Sequence, residues 1–413
     1  MKILYLSPIF ELSNDPGSDR WYYFCKNLVK SGHQVVVITS AVDYKKAKIR
    51  SECRGRLHTV ITVDGIKIIY LWSYPNFRGS FTRRLIYLIS FMALSVVYGL
   101  FVRRLDVIYS PNSPGLVGYA GFLLSIFQGT PLVFEVADVW PDAGIAMGKL
   151  TNPYVISIIK LVENVCYRRA ERIIALTRGI KENIESKGYP TEKVKLITNG
   201  IDPGIFHPDL FGKTKELRSS LGLNHRFVSL YLGAHGHYNS LGTIIEVANC
   251  LKDDERFVFV LIGDGDYKAY LEKMVRELSL HNVIFVAPVP RMACPEYLGI
   301  ADVFLLPNLK GAFFKMNLPN KLFDFLMAGR PIIVAGEGET GDIVRQAGAG
   351  FVVSAEDVTG IAESIRRLVD LGETECKKMG EKGQSFVVKN YNRSNQYFQF
   401  ERTLLEASGQ KLS

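Results

Sequence analysis

The stretch NGIDPGIFHPD (residues 199–209) holds two prolines, two glycines and two aspartates in eleven residues. Proline removes a backbone donor, and glycine and aspartate favour turns, so it reads as an interruption between larger bodies. On either side the chain follows one grammar. Before it come the apolar runs KILYLS (2–7), QVVVITS (34–40), IKIIYLW (66–72), DVIYS (106–110), PLVFEVA (131–137), RIIAL (172–176) and VKLIT (194–198). After it the pattern restarts with RFVSLYLG (226–233), FVFVLIG (257–263), VIFV (283–286), DVFLLP (302–307), PIIVAG (331–336) and GFVV (350–353). Helical periods separate most of them. Trp21, Phe24, Cys25, Leu28 and Val29, for example, share one helix face before Ser31-Gly32-His33 ends the pattern. Short Val/Ile/Leu runs alternating with helices predict parallel sheets covered on both faces.

The fold class expected is therefore α/β, with two facing, doubly wound, Rossmann-like domains. The first spans residues 1–204 and the second 205–390, while a C-terminal helix within 391–413, near Tyr391–Leu405, crosses back to the first domain. At roughly 150 residues per domain, 413 residues suit two or three domains. Ligands of such sheets bind beyond the carboxyl ends of the strands, so a cleft between the halves is the expected site.

Hydrophobic residues make up 47% and charged residues 22%, which excludes a disordered or collagen-like chain. Fifty Lys+Arg against 41 Asp+Glu give a net charge of +9, which suits an anionic partner. Nucleic acid has only this net charge behind it and is not predicted. Six scattered cysteines, with no C-x-x-C pair, point to a reducing, cytoplasmic setting. The start, MKILYLSPIF, enters a strand pattern directly and is too short and interrupted for a signal peptide.

Residues 85–102 (LIYLISFMALSVVYGLFV) carry no charge and are fenced by Arg83-Arg84 and Arg103-Arg104. As a helix they would be about 27 Å long. Three readings are open: a helix lying in a membrane interface, a buried core helix, or a membrane span. A span would separate strands that look like members of one sheet. Peripheral attachment to an anionic membrane surface through residues 81–104 is the reading that gives the flanking arginines a purpose.

The run NLPNKLFDFLMAGRP (317–331) is the most informative for chemistry. Asn320 suits an N-cap, and Gly329 and Pro331 a helix end. Leu322, Phe325, Leu326 and Gly329 would pack on a sheet, while Lys321, Asp324 and Ala328 share another face. A helix N-terminus presents free N–H groups to a phosphate, and Lys321 adds a full charge. Asp324, one turn deeper, is placed to accept hydrogen bonds from sugar or ribose hydroxyls.

This run, with Gly32-His33-Gln34-Val35, Asp138-Val139-Trp140-Pro141, Asn199-Gly200-Ile201-Asp202, Phe206, Pro208, Tyr231–Gly236 and Gly263-Asp264-Gly265, resembles the retaining GT-B glycosyltransferases of family 4. The similarity is to the bacterial surface-polysaccharide branch that includes L-fucosamine transferases, and it covers nearly the whole chain. It implies two Rossmann-like domains, a nucleotide-sugar held mainly by the C-terminal one, and no metal or other cofactor. It further implies a polyprenyl-diphosphate-linked saccharide acceptor at the cytoplasmic membrane face. Carried over, Lys321 would hold the donor diphosphate, and Asp324 matches the second acid of the family's E-x7-E motif. The chain departs from that motif with Asp for Glu at 324 and Met316 at the first acid. The Arg and Lys that commonly follow the first C-domain strand are also missing, since 236–241 reads GHYNSL.

The remaining candidates follow from position. Gly233, His235, Gly263, Asp264, Gly265, Asn317, Leu318, Pro319 and Asn320 form the expected donor-binding set. In the first domain, Gly17 would allow close backbone approach and Arg20 would contact a phosphate. Asp138, at a strand's carboxyl end, would orient or deprotonate the acceptor hydroxyl, with Glu135 as a weak partner inside the strand. With Lys321 and Asp324 it completes the expected catalytic set. The predicted reaction moves a sugar, an N-acetylamino sugar by preference, from UDP to the lipid-linked acceptor. Gly336-Glu337-Gly338-Glu339-Thr340-Gly341 also fits a dinucleotide fingerprint, but its acids would repel a pyrophosphate. That motif keeps an NAD(P) oxidoreductase as one alternative, beside a nucleotide-sugar epimerase and an inactive binder. Asp264-Gly265-Asp266 matches a metal-binding D-x-D too briefly to carry weight, and His235 with His237 lacks a third ligand.

Overall fold

The structure is a computed structural model, and it describes every residue except 13–19, 45, 78–79, 114–117, 147, 149, 206–213 and 411–413. Two units emerge: Met1–Thr198 with Gln396–Ser413, and Asn199–Asn395. The division thus falls before Asn199 rather than after Gly204, and the chain returns to the first unit at Gln396 rather than at Tyr391.

Unit 1 is built on strands β1 (Lys2–Leu6), β2 (Gln34–Ser40), β3 (Val42–Asp43), β4 (Lys48–Ile49) and β5 (His58–Val63). It continues with β6 (Ile66–Leu71), β7 (Val107–Pro111), β8 (Leu132–Val136), β9 (Arg172–Ala175) and β10 (Val194–Leu196). Eight of these form one sheet in the order β10-β9-β8-β7-β1-β2-β6-β5, and β3 pairs with β4 in a separate two-stranded sheet. Every neighbour is parallel except β5, which runs antiparallel on the edge beside β6. The helices are α1 (Arg20–Lys30), α2 (Phe81–Leu100), α3 (Gly118–Gln128), α4 (Asp142–Ala146), α5 (Pro153–Arg169) and α6 (Arg178–Ser186). One sheet face is covered by α2, α3, α5 and α6, whose Phe91, Leu124, Tyr167 and Ile184 join a single core with Leu4, Ile38 and Ile108.

The uncharged run at 85–102 forms the body of α2 up to Leu100, and its last two residues lie past the helix end. It is neither a fully buried core helix nor detached from the domain. Tyr87, Leu88 and Phe91 are buried in the core, while Ile86, Ile89, Val97 and Leu100 are exposed. Thr82–Leu100 is long and apolar enough to cross a membrane by length and composition alone. Its inner side nevertheless belongs to the layer on the sheet.

Unit 2 carries β11 (Phe227–Leu232), β12 (Phe257–Ile262), β13 (Val283–Val286), β14 (Val303–Pro307), β15 (Ile332–Ala335) and β16 (Gly350–Val353). They form a wholly parallel sheet in the order β13-β12-β11-β14-β15-β16. Its helices are α7 (Thr214–Ser220), α8 (Leu241–Cys250), α9 (Lys268–Glu277), α10 (Cys294–Gly299), α11 (Ala312–Lys315), α12 (Asn320–Ala328), α13 (Glu339–Ala347) and α14 (Val358–Asn390). The last helix, α15 (Arg393–Ser408), starts in unit 2 and ends in unit 1. In unit 1 its Phe400 stacks on Phe24 of α1 at 4.9 Å between ring centres, covering the sheet face opposite α2.

Candidate functional site

In unit 2 the site gathers where β11, β12 and α12 end or begin. Leu322, Phe323, Phe325 and Leu326 anchor α12 in the core, each no more than 1% exposed. Gly329 ends the helix in the left-handed conformation, as the sequence predicted. The N-terminus differs from expectation. Asn320 is the first helical residue rather than the cap, Pro319 precedes it, and no side chain caps the helix. Leu322 N–H donates to the Pro319 carbonyl at 3.0 Å, and the Asn320 and Lys321 N–H groups are left to meet an anion. Asn317 and Asn320 are exposed there, and Leu318 is buried as an anchor.

Lys321 turns its ammonium inward. Nζ lies 4.1 Å from the centre of the Tyr231 ring and donates to the Tyr231 hydroxyl. It also reaches Asn239 Oδ1 at 3.5 Å. Tyr231 and Asn239 each donate to the carbonyl of Ala234 at 2.9 Å, which closes a ring of contacts around the Leu232–Asn239 loop. No carboxylate pairs with Lys321 among the described residues. Burial without a counter-ion lowers its pKa to about 7 and pushes the Tyr231 phenol far up. Gly233 makes the arrangement possible: a Cβ there would stand 2.7 Å from Nζ, and its φ of +153° already favours glycine.

The neighbouring residues of the expected donor set turn out to shape this loop. A Cβ on Gly265 would meet the His235 carbonyl at 2.4 Å, and one on Gly263 would overlap the Gly233 carbonyl. Asp264 is exposed and its Oδ1 accepts from the Gly265 amide at 2.9 Å, a local turn contact. The His235 imidazole is wholly buried, and among the described residues neither ring nitrogen has a hydrogen-bond partner of good geometry. Burial, then repulsion by Lys268, lowers its pKa to about 4, so it is neutral at pH 7. Among the described residues, no cluster of three or more His, Cys, Asp or Glu could hold a metal ion.

Asp324 is 9% exposed and grips Arg291 through two bonds, 2.6 Å to Oδ2 and 2.7 Å to Oδ1. Each oxygen has two lone pairs, so a ribose hydroxyl can still be accepted beside the guanidinium. Arg291, Tyr231 and Asn239 were missed by the sequence reading. Tyr231 carried a signal as the penultimate residue of a buried strand, where a phenol needs a partner.

Unit 1 gives a correction. Gly17 lies outside the described residues, but Arg20 does not face a phosphate. It is 2% exposed, and Nη1 pairs with Glu135 Oε2 at 2.7 Å while Nη2 donates to the Ile197 carbonyl at 3.1 Å. The wholly buried Glu135 also accepts from Tyr109 at 2.6 Å and Trp21 at 3.2 Å. A carboxylate inside a sheet demands such donors, and Arg20 is spent on meeting that demand. Asp138, by contrast, follows β8 with an exposed side chain. Loss of solvation by surrounding protein raises its pKa, opposed by a long hydrogen bond from Ser113 at 3.5 Å. Asn112 fixes the loop, donating to the Asp138 carbonyl at 2.7 Å and accepting from the Ala137 amide at 3.0 Å.

Two Rossmann-like α/β units, each on a mainly parallel sheet, make up a GT-B fold. Solved structures with this fold cover nearly the whole chain. The crystal structure of Anabaena HepE with UDP-glucose superposes with a TM-score of 0.73 at 16% identity, covering 98% of this chain and all of that one. Sucrose-phosphate synthase from Thermosynechococcus elongatus gives 0.73 at 16% identity and 98% of both chains. Residues 18–200 match the family described as glycosyl transferase 4-like domain, and residues 213–386 the glycosyl transferases group 1. The chain belongs to these glycosyltransferases. AmsK of Erwinia amylovora, an amylovoran biosynthesis glycosyltransferase, is 24% identical over 70% of this chain and 68% of its own. WcaI of Escherichia coli K12, provisionally named a colanic acid biosynthesis glycosyl transferase, is 26% identical over 82% and 85%. The dinucleotide fingerprint at 336–341 is absorbed by the same family unit, where a Cβ on Gly341 would press on Val352 at 2.9 Å.

Proposed function

We propose that the protein is a retaining, metal-independent transferase that moves a sugar from a UDP-sugar to a polyprenyl-diphosphate-linked saccharide during surface-polysaccharide synthesis, with an N-acetylamino sugar as the preferred cargo. The observation that carries the reading is Lys321, a half-buried residue whose inward-turned ammonium meets no counter-ion among the described residues, beside the N-terminus of α12. A diphosphate supplies the missing charge. As the bond to the anomeric carbon breaks, negative charge grows on that diphosphate, and Lys321 with the helix N–H groups is preorganised to stabilise it. Asp324 with Arg291 positions the ribose. Asp138 in unit 1, its pKa raised, receives or orients the proton of the attacking acceptor hydroxyl. Same-face attack guided by the leaving phosphate requires no protein nucleophile, which makes Met316 in place of an acid tolerable.

The relatives named for amylovoran, colanic acid and teichuronic acid synthesis support the polysaccharide setting. The UDP complexes of HepE support the donor nucleotide. A cytoplasmic, peripheral position on the inner membrane face, through residues 81–104, follows from the acceptor's lipid and the arginines around α2. Thermal stabilisation by UDP, GDP, ADP, TDP and NAD(P), without added metal, tests the donor. Saturation at 100 times the dissociation constant adds about 2.7 kcal/mol. A shift with UDP supports the proposal; a shift with NAD(P) alone overturns it.

A further inference from the structure

The helix layer over unit 1 leaves apolar surface open well beyond α2. On α5, Tyr154, Ile158 and Leu161 recur at i, i+4 and i+7, hence along one face, and are 80%, 60% and 62% exposed. A helix packed on a sheet ordinarily turns such a stripe inward. Here the inward side is taken by Cys166 and Tyr167, and the outward stripe is a second apolar face. At the end of α3, Ile126 and Phe127 are 50% and 62% exposed.

The three helices are neighbours. The Gln128 side chain at the end of α3 donates to the Gly99 and Val102 carbonyls at the end of α2, both at 3.1 Å. Arg169 at the end of α5 donates to the Ser125 carbonyl of α3 at 3.0 Å. All three helices pack on the same sheet face, so their outward sides look the same way. The exposed residues of α2 add a stripe from Ile86 to Leu100, about 21 Å long at 1.5 Å per residue. Apolar stripes repeated on neighbouring helices of one sheet face mark an interaction site, unlike singly scattered residues.

Charge selects the partner. The three helices contain a single acid, Glu163, against Arg83, Arg84, Lys160, Arg168 and Arg169. Glu163 is already engaged by Lys187 and Tyr167. A second copy of the chain would set cationic borders against each other, whereas an anionic bilayer complements them while its acyl region accepts the apolar stripes. We infer that α5 and the end of α3 extend α2 into one bilayer-docking face, with α5 lying in the membrane interface and Tyr154, Ile158 and Leu161 inserted. This rests on the peripheral-membrane reading above and enlarges its contact from one helix to three.

Vesicle co-sedimentation of the full chain tests it, with phosphatidylcholine vesicles containing or lacking phosphatidylglycerol. The variants are Ile158→Asn/Leu161→Asn on α5 and Ile89→Asn/Val97→Asn on α2. UDP-induced thermal stabilisation confirms that each is folded. The expected result is binding of the unmodified protein to anionic vesicles, reduced at least tenfold by the α5 pair and also by the α2 pair. Loss with the α2 pair but unchanged binding with the α5 pair overturns the extended face and leaves peripheral attachment standing. No binding of the unmodified protein to either vesicle overturns both. A self-associating protein that the α5 pair renders monomeric overturns the bilayer as occupant.

Discussion

Unit 1 and unit 2 each bury a cation near the carboxyl ends of their strands, and they treat it in opposite ways. Arg20 is given a carboxylate, and that carboxylate is given a phenol and an indole besides, so the group is closed on itself. Lys321 is given a phenol, an amide oxygen and an aromatic face, but no negative charge among the described residues. The first arrangement holds a domain together. The second keeps a site unfinished until an anion arrives, and the cost of burying it shows as a pKa near 7. The difference teaches which buried charge to read as structure and which as function: the satisfied one is scaffold, the unsatisfied one is site.

The sharpest way to break this contrast is Arg20→Ala. Removing one partner strands Glu135 in the core, and the expected loss is about 3–5 kcal/mol, read as a lower denaturant midpoint. If the variant does not fold, Arg20→Met/Glu135→Leu keeps the question open to measurement, because an apolar pair of similar volume should recover most of that stability. A next, smaller effect is expected at Lys321→Met. UDP affinity should fall by roughly 1.5–3 kcal/mol, the worth of a hydrogen bond to a charged group, while thermal stability is kept or raised. Unchanged UDP binding would move the donor diphosphate elsewhere.

The pH dependence of the same pair sharpens it further. Because the folded pKa of Lys321 lies below its unfolded value, the unfolded chain holds more protons between the two. The burial penalty is full below pH 7 and fades as pH rises towards the unfolded value near 10.4. The stability advantage of Lys321→Met over the unmodified protein should therefore be largest at low pH and shrink above 7, as followed by melting across pH 6–9. The smallest effect on donor binding belongs to Asp138→Asn. UDP affinity should be unchanged while transfer to acceptor falls, by 10²–10⁴ for a general base. Equal transfer rates would remove Asp138 from the chemistry.

Much of the fold was readable from sequence because buried parallel strands leave unbroken Val/Ile/Leu runs, and both sheets consist mainly of such strands. The exception explains itself. The edge strand His58–Val63 alternates exposed and half-buried positions and lies after an Arg- and Gly-rich segment, so no apolar run marks it. At the site, the spacing of 317–331 gave the helix, its glycine stop and Lys321. It misplaced the cap, since Pro319 occupies the position that Asn320 was expected to hold. Arg20 was misread for a different reason. Its partner Glu135 is 115 residues away, and Glu135 had been recognised as an unusual acid within a strand. Pairing the two needed the sheet order, which places β8 beside β7 and β7 beside β1. Arg291 stayed hidden because it acquires its meaning only through Asp324 of α12.

The most direct test of the account is calorimetric titration of UDP into the unmodified protein and Lys321→Met at pH 6 and 8.5, each in two buffers of different ionisation enthalpy. Lys321 is mostly neutral at pH 8.5 and mostly charged at pH 6, and a bound diphosphate favours the charged form. The account predicts proton uptake approaching one per UDP at pH 8.5, far less at pH 6, and loss of the difference in Lys321→Met. Equal proton uptake by the two proteins at pH 8.5, with equal affinity, would contradict it.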